Sequence, residues 1–178
     1  TTTIPVLVAG KGTVSTTTVA PSIPRTVVTT TVPAQVTTTI VAAPKIAQVA
    51  TGQSAVQVDG VDTKAQISRV NNQLVVSAGA LKATIGGINE NGSAMSLDSD
   101  GNVRLRSGDV VRIKLAGFKP GSTVEAWLFS TPALLGTAKV GADGTVTGTF
   151  TIPKNASEGS HRIAIVAKTT DGKPATLT

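Results

Sequence analysis

The sequence predicts an all-β protein whose strands form a sandwich or a barrel. Asx-Gly dipeptides, which supply the positive φ angles of tight hairpin turns, recur along the chain after residue 54. Between these turns lie short runs with alternating patterning or many β-branched residues, and no run shows a sustained helical period. Many short strands without intervening helices are typical of sandwiches and barrels.

The strand candidates follow from these runs in chain order. They span residues 55–58, 61–70, 73–78, 81–87, 103–105, 110–115, 123–129, 137–140, 145–152 and 161–168. The clearest is VVRIKLAG, in which Val111, Ile113 and Leu115 alternate with Arg112 and Lys114. This alternation predicts one face on the core and one in solvent.

The core is predicted around a short span that holds all four aromatic residues, Phe118, Trp127, Phe129 and Phe150. The strand near residue 165 is expected to add Ile163 and Ile165 to it. Trp127 and Phe129 alternate in their strand and therefore share a face. Because exposed Trp/Phe pairs are uncommon in a chain with so few aromatics, both are predicted to face the core while Ala126 and Leu128 face outward.

Residues 1–51 form a Thr/Pro-rich arm of low complexity. Four threonine triplets, beginning at residues 1, 16, 29 and 37, are each followed by Ile or Val and then by Pro. Proline fixes φ and lacks a backbone donor, while β-branched residues favour extended backbone, so we expect a stretched stalk or linker. Such tracts suit O-glycosylated spacers as well as unmodified linkers. The Val and Ile content also permits β-pairing with a neighbouring chain.

The composition excludes several classes of site. The chain has no Cys, which removes disulfides, thiolate metal sites and cysteine nucleophiles. The formal charge is +6, but the basic residues are scattered and lack interleaved aromatics, so no nucleic-acid partner is expected. No apolar run is long enough for a transmembrane helix.

Several motifs after residue 102 resemble those of the immunoglobulin-like modules near the ends of large actinobacterial cell-surface proteins. They are GD at 108–109, GFKPGS at 117–122, WLFSTP at 127–132, ADG at 142–144, IP at 152–153 and GSH at 159–161. The preceding residues 59–101 look like the small β-module that often comes before such a domain. The resemblance implies an exported structural or adhesive module, located outside the cell or on its surface, without catalytic activity.

We therefore expect three parts: the arm at 1–51, a small β-module at 52–102 and an immunoglobulin-like β-sandwich at 103–178. Because residues 175–178 read as the beginning of a strand, the sandwich is expected to be truncated at its C-terminal end.

A cation site is the first candidate for chemistry. Asp98, Asp100 and Asn102 have the alternation of a calcium loop, in which several oxygens converge from a tight turn. The loop lacks the downstream bidentate Glu, since Asp109 stands at the twelfth place. A hairpin turn explains the pattern better, and no cofactor is expected, with calcium as the alternative.

Two groups of residues are candidates for a ligand surface. Thr145, Thr147, Thr149 and Thr151 alternate along one strand and predict a row of hydroxyl groups on a single face. Trp127 and Phe129, if they faced outward instead, would form an aromatic platform for a saccharide.

No residue is predicted to perform catalysis. His161 is the only histidine, and it lies beside a Gly-Ser pair at the start of a strand, which indicates a turn or rim residue. The favoured hypothesis is a structural and adhesive module whose partner is another protein, a glycan or a copy of itself. The alternatives are a carbohydrate-binding sandwich and a fibre subunit whose arm adds strands to the next copy.

Overall fold

The computed structural model describes residues 42–178, and these form an all-β sandwich, as predicted. Residues 42–55 contain neither helix nor strand. The strands that follow are β1 (Val56–Val58), β2 (Val61–Thr63), β3 (Gln66–Val70), β4 (Gln73–Ala78), β5 (Leu81–Ile88), β6 (Val110–Ala116), β7 (Thr123–Phe129), β8 (Ala133–Lys139), β9 (Thr145–Thr151), β10 (Arg162–Lys168) and β11 (Pro174–Leu177). This part of the chain holds no helix that would span a bilayer.

Two antiparallel sheets pack face to face. The six-stranded sheet has the order β2-β1-β11-β10-β7-β8, and the five-stranded sheet has the order β3-β4-β5-β6-β9. The predicted arm at 1–51 lies mostly outside the described residues.

The predicted boundary between residues 102 and 103 does not separate two domains. In one sheet β1 pairs with β11, and in the other β5 pairs with the whole length of β6. Each sheet therefore combines strands from both segments, which build one sandwich. The physical reason is that β5 and β6 each present an apolar face and an open edge, and each covers the edge of the other.

The core lies between the two sheets and is built from alternate residues of the strands. On β6, Val111, Ile113 and Leu115 are at most 4% exposed, as the alternation predicts. Phe118, in the turn after β6, is fully buried, and Phe150 of β9 joins the same cluster. The predicted aromatic span thus supplies two rings to the core.

The prediction that Trp127 and Phe129 face this core was wrong. The residues of β7 in the core cluster are Val124, Ala126 and Leu128. The reason lies in the pairing with β10, where Ala126 is opposite Ile165 and Leu128 is opposite Ile163. Directly opposite residues share a face, so the inward isoleucines place Ala126 and Leu128 inward as well.

Three of the predicted strands differ by several residues from those observed, and one of them, the run 137–140, is only the end of β8, which begins at residue 133. The run 61–70 is two strands, because the chain passes from the six-stranded to the five-stranded sheet at residues 64–65. Residues 103–105 are not a strand but part of the connection between β5 and β6. There Leu105 and Met95 both approach Gly87 so closely that a Cβ at that position would lie 3.0 Å from each.

The turns before β9 and before β11 are held by aspartate side chains. Asp143 accepts hydrogen bonds from the hydroxyl of Thr145 at 2.7 Å and from its backbone N–H at 3.0 Å, and these bonds lower the pKa of its carboxyl from the ordinary 3.8. The Thr169 hydroxyl donates to Asp171 and lowers the pKa of that carboxyl in the same way. Both turns are therefore stabilised while their carboxylates are ionised.

These two carboxylates predict a loss of stability in acid. Their pKa values are lower in the folded than in the unfolded chain, so their contribution is complete above the ordinary aspartate value and is lost as the pH falls through the folded values. We expect the melting temperature to fall between about pH 5 and about pH 2, and to fall less in the double variant Asp143→Asn/Asp171→Asn. Asp100→Asn is the control, because among residues 42–178 the Asp100 carboxylate accepts no hydrogen bond. Thermal melts that show the same pH dependence in the double variant as in the control would contradict the stabilising role of the Asp143 and Asp171 carboxylates.

Candidate functional site

A cleft of about 720 Å³ opens between the two sheets at the end where β1 begins and β11 ends. Its floor consists of apolar side chains from both inner faces, among them Leu74, Val76, Ile85, Leu128, Ile163 and Leu177. Its rim is formed by residues 49–54, 98–100, 102–105 and 159–162. An apolar floor with a polar rim is the usual form of a small-ligand site.

The candidate cation residues lie at this rim, where they form a turn. One carboxylate oxygen of Asp98 accepts the backbone N–H of Asp100 at 3.0 Å and that of Asn102 at 2.8 Å. The Gly101 carbonyl in turn accepts a hydrogen bond from Arg69 Nε at 2.7 Å. Across residues 42–178 there is no group of three or more His, Cys, Asp or Glu side chains placed to hold a metal ion. These contacts favour the hairpin-turn interpretation, and calcium binding stays an untested alternative.

A serine–histidine hydrogen bond on the same rim joins two loops. Ser130 Oγ lies 2.8 Å from His161 Nδ1, and His161 Nε2 lies 2.7 Å from the Ser157 carbonyl oxygen. Because a carbonyl only accepts, Nε2 carries a proton, and in the neutral imidazole Nδ1 then accepts from the serine hydroxyl. In a catalytic triad a carboxylate holds the second ring nitrogen and stabilises the imidazolium, whereas here a neutral carbonyl occupies that position. The arrangement ties the loop after β7 to the loop before β10.

The two candidate aromatic residues lie on the outer side of the six-stranded sheet. Trp127 is only 3% exposed and donates from Nε1 to Glu125 Oε2 at 2.9 Å. The rings of Trp127 and Phe129 are 6.4 Å apart between centroids and tilted by 41°. Phe129 is half-buried and also borders the cleft. With Trp127 buried, the pair leaves little open ring surface for stacking on a sugar.

The threonine row lies in solvent, as the alternation predicts. Thr145, Thr147, Thr149 and Thr151 are all exposed on the outer side of the five-stranded sheet. Thr147 lies opposite Lys114, and Thr149 lies opposite Arg112, both on β6. The hydroxyl row is thus bordered by cationic side chains at its two middle positions.

Sequence reasoning missed the cleft and the contacts at its rim. Ser130 and His161 are 31 positions apart, and neither stands in a motif that indicates the pairing. Arg69 and Gly101, 32 positions apart, are joined only because β3 lies at the edge of the sheet beside the connection that contains the glycine. Such contacts depend on which strands are neighbours.

No protein-family model matches this chain, and no curated protein has significant similarity to it in sequence. The function is therefore inferred from the contacts, charges and topology of the chain and from the sequence resemblance.

Proposed function

We propose that this protein is a non-enzymatic structural and adhesive module of an exported bacterial surface protein, in which the sandwich is the displayed binding part. Three observations support the proposal: the motifs after residue 102 that resemble bacterial immunoglobulin-like surface modules, the Thr/Pro-rich composition of residues 1–51, and the positions of the first and last strands. The third observation carries the part of the proposal that concerns display, while the exported and adhesive character comes from the resemblance and the composition.

The first and last strands are antiparallel neighbours. Val56 of β1 lies opposite Leu177 of β11. Beyond that pair, the Ala55 N–H donates to the Thr178 carbonyl at 3.0 Å, and the Thr178 N–H donates to the Ala55 carbonyl at 2.9 Å. Residues 55 and 178 therefore lie side by side at the same end of the sandwich.

This arrangement suits display better than the transmission of force. Tension applied between Ala55 and Thr178 acts across the β1–β11 ladder and opens its hydrogen bonds one after another. A module that carries load in line is stronger when the force runs along a ladder and strains all its bonds together. With both ends on one side, the outer sheet faces and the opposite end of the sandwich point away from the attachment and are available to a partner.

Single-molecule pulling tests this division of roles. We expect the sandwich to open at a several-fold lower force when it is held through cysteines at positions 55 and 178 than through cysteines at 55 and 173. Lys173 is the matched attachment point because its side chain is exposed and it precedes β11, so that force between residues 55 and 173 shears the same ladder. Thermal melts of both cysteine pairs check that they fold alike. An equal or higher force for the 55–178 pair would contradict display and favour an in-line stalk element.

A glycan-binding role is the second candidate, and the exposed threonine row beside Lys114 and Arg112 is the observation that favours it. The strand-addition hypothesis depends on the arm at 1–51, which lies mostly outside the described residues. It stays a prediction, for which the edge strands β2, β3, β8 and β9 are the acceptors.

A further inference from the structure

The outer side of the five-stranded sheet carries three cationic side chains. Lys82 comes from β5, and Arg112 and Lys114 come from β6. Their neighbours along the strands, such as Ala83 and Ile113, are buried in the core, so alternation turns the cations to the opposite side. Lys82 and Lys114 are exposed, and Arg112 is half-exposed. We call this surface the basic face.

Strand pairing brings the three cations together. Lys114 lies directly opposite Thr84 of β5, which is two residues along the strand from Lys82. Such diagonal neighbours are about 7–8 Å apart. Arg112 is two residues from Lys114 on the same strand, a separation of about 7 Å. The sequence alone does not show this group, because Lys82 is 30 or more positions from the other two.

No acidic side chain on the sheet neutralises these charges. The five strands of the sheet contain no Asp or Glu. Among residues 42–178, one ion pair is shorter than 4.0 Å. It joins Lys173 to Asp171 at the other sheet and involves none of the three cations. The acidic residues nearest along the chain, Glu90, Asp109 and Asp143, lie in the connections beyond the strand ends.

Hydroxyl and amide side chains border the cations on both sides. The threonine row of β9 lies on one side, and on the other side β4 and β3 present Gln73, Ser77, Gln66 and Ser68, together with two valines, Val75 and Val70. These five strands contain a single aromatic residue, Phe150, which is buried in the core. The basic face thus offers charge and hydrogen bonds but no ring for stacking.

We propose that the basic face binds an acidic polysaccharide, a polymer whose carboxylates lie over Lys82, Arg112 and Lys114 while its hydroxyl groups bond to the flanking Thr, Ser and Gln side chains. Carboxylates are the natural partners of uncompensated Arg and Lys, and a broad sheet face accommodates an extended chain better than a compact ligand. Single-stranded nucleic acid is disfavoured because its bases stack on aromatic side chains, which this face lacks. A membrane surface is disfavoured because the most exposed apolar side chain on this side is a single valine, Val70 at the end of the edge strand β3, and the face has no exposed aromatic or leucine side chain to insert.

This inference extends the proposed function by naming the class of partner, and it is tested separately from it. The pulling experiment reports on how the sandwich is attached, whereas binding reports on the outer face of one sheet. If the pulling experiment contradicts display, the binding result can still be interpreted, and the reverse also holds.

The test measures binding of the full chain to immobilised polygalacturonate, with neutral dextran as the comparison surface. The variant Lys82→Thr/Arg112→Thr/Lys114→Thr removes the three cations with a residue that suits an exposed strand position. The matched control Lys119→Thr/Lys139→Thr/Lys154→Thr removes three exposed cations outside the basic face, so both variants have the same net charge.

We expect the chain to bind polygalacturonate but not dextran, and to lose most of that binding between about 50 and about 500 mM salt. Exposed ion pairs each contribute modestly to binding, but the basic-face variant loses three of them together and is expected to bind at least about tenfold more weakly than the unchanged protein. The control variant is expected to bind within about twofold of the unchanged protein. Equal losses in the two variants would overturn the proposal in favour of a net-charge effect. Tighter binding to single-stranded DNA or to anionic vesicles, lost in the same variant, would overturn the choice of polysaccharide. Equal melting temperatures of the two variants confirm that both are folded.

Discussion

Replacing Gly117 with alanine is expected to lower the free energy of unfolding by about 2–5 kcal/mol. Gly117 has a φ of +86°, a conformation that costs L-residues about 1–2 kcal/mol. A Cβ there would also lie 2.2 Å from the backbone carbonyl oxygen of Ala80 and 2.8 Å from its carbonyl carbon. Because these are backbone atoms in the turn between β4 and β5, they cannot rotate away, and one of the two turns has to move.

Gly121→Ala is the matched control for this substitution. Gly121 lies four residues later and has a φ of +73°, and a Cβ at that position would have nothing within 4 Å of it. Gly121→Ala is therefore expected to lower the free energy of unfolding by only about 1–2 kcal/mol, the cost of the backbone conformation. Urea unfolding of the two variants separates the close approach from the φ effect. Equal losses in both would show that Gly117 and Ala80 are not in contact.

The Gly117–Ala80 approach also bears on the organisation of the chain. Ala80 belongs to the segment at 52–102 and Gly117 to the segment at 103–178, which the sequence predicted to be separate units. A loss of the expected size in Gly117→Ala would mean that the turns of the two segments pack as parts of one fold.

The local features of the fold could be predicted from the sequence. The alternation of Val111, Ile113 and Leu115 identified both β6 and its buried face, and the limits of β4 and β7 agree with the predicted runs at 73–78 and 123–129. These features are encoded in a few consecutive residues by side-chain alternation and by turn residues.

The partners of the strands could not be predicted in the same way. The pattern of β5 shows that Leu81, Ala83 and Ile85 need a core, but not that β6, more than twenty residues later, lies beside it. The same limit explains the error on β7, where both faces carry apolar residues and the opposite strand β10 determines which face is inward.

For the basic face and the cleft rim, too, the sequence predicted which side chains are exposed but not which of them lie together. The exposure of Thr147 and Thr149 follows from alternation, and so does that of Lys114. The addition of Lys82 to form the basic face follows only from the pairing of β5 with β6. The Ser130–His161 contact depends on two loops that meet at the end of the sandwich.

The single sandwich is the central claim, because the adjacent ends and the basic face both depend on strands from the two segments. If it is correct, residues 103–178 alone lack β1 to β5, which leaves the edges of β6 and β11 unpaired and removes buried side chains such as Val56, Val76 and Ala83 from the core. An isolated half-sandwich of this kind has too little buried apolar surface to offset its conformational entropy.

Nuclear magnetic resonance spectra of residues 52–178 and of residues 103–178, each expressed alone, test this claim directly. We expect well-dispersed amide resonances and a cooperative thermal transition for residues 52–178, and collapsed resonances without a transition for residues 103–178. Dispersed resonances for residues 103–178, at the positions that they have in the longer fragment, would contradict the single sandwich and restore the boundary at 102/103.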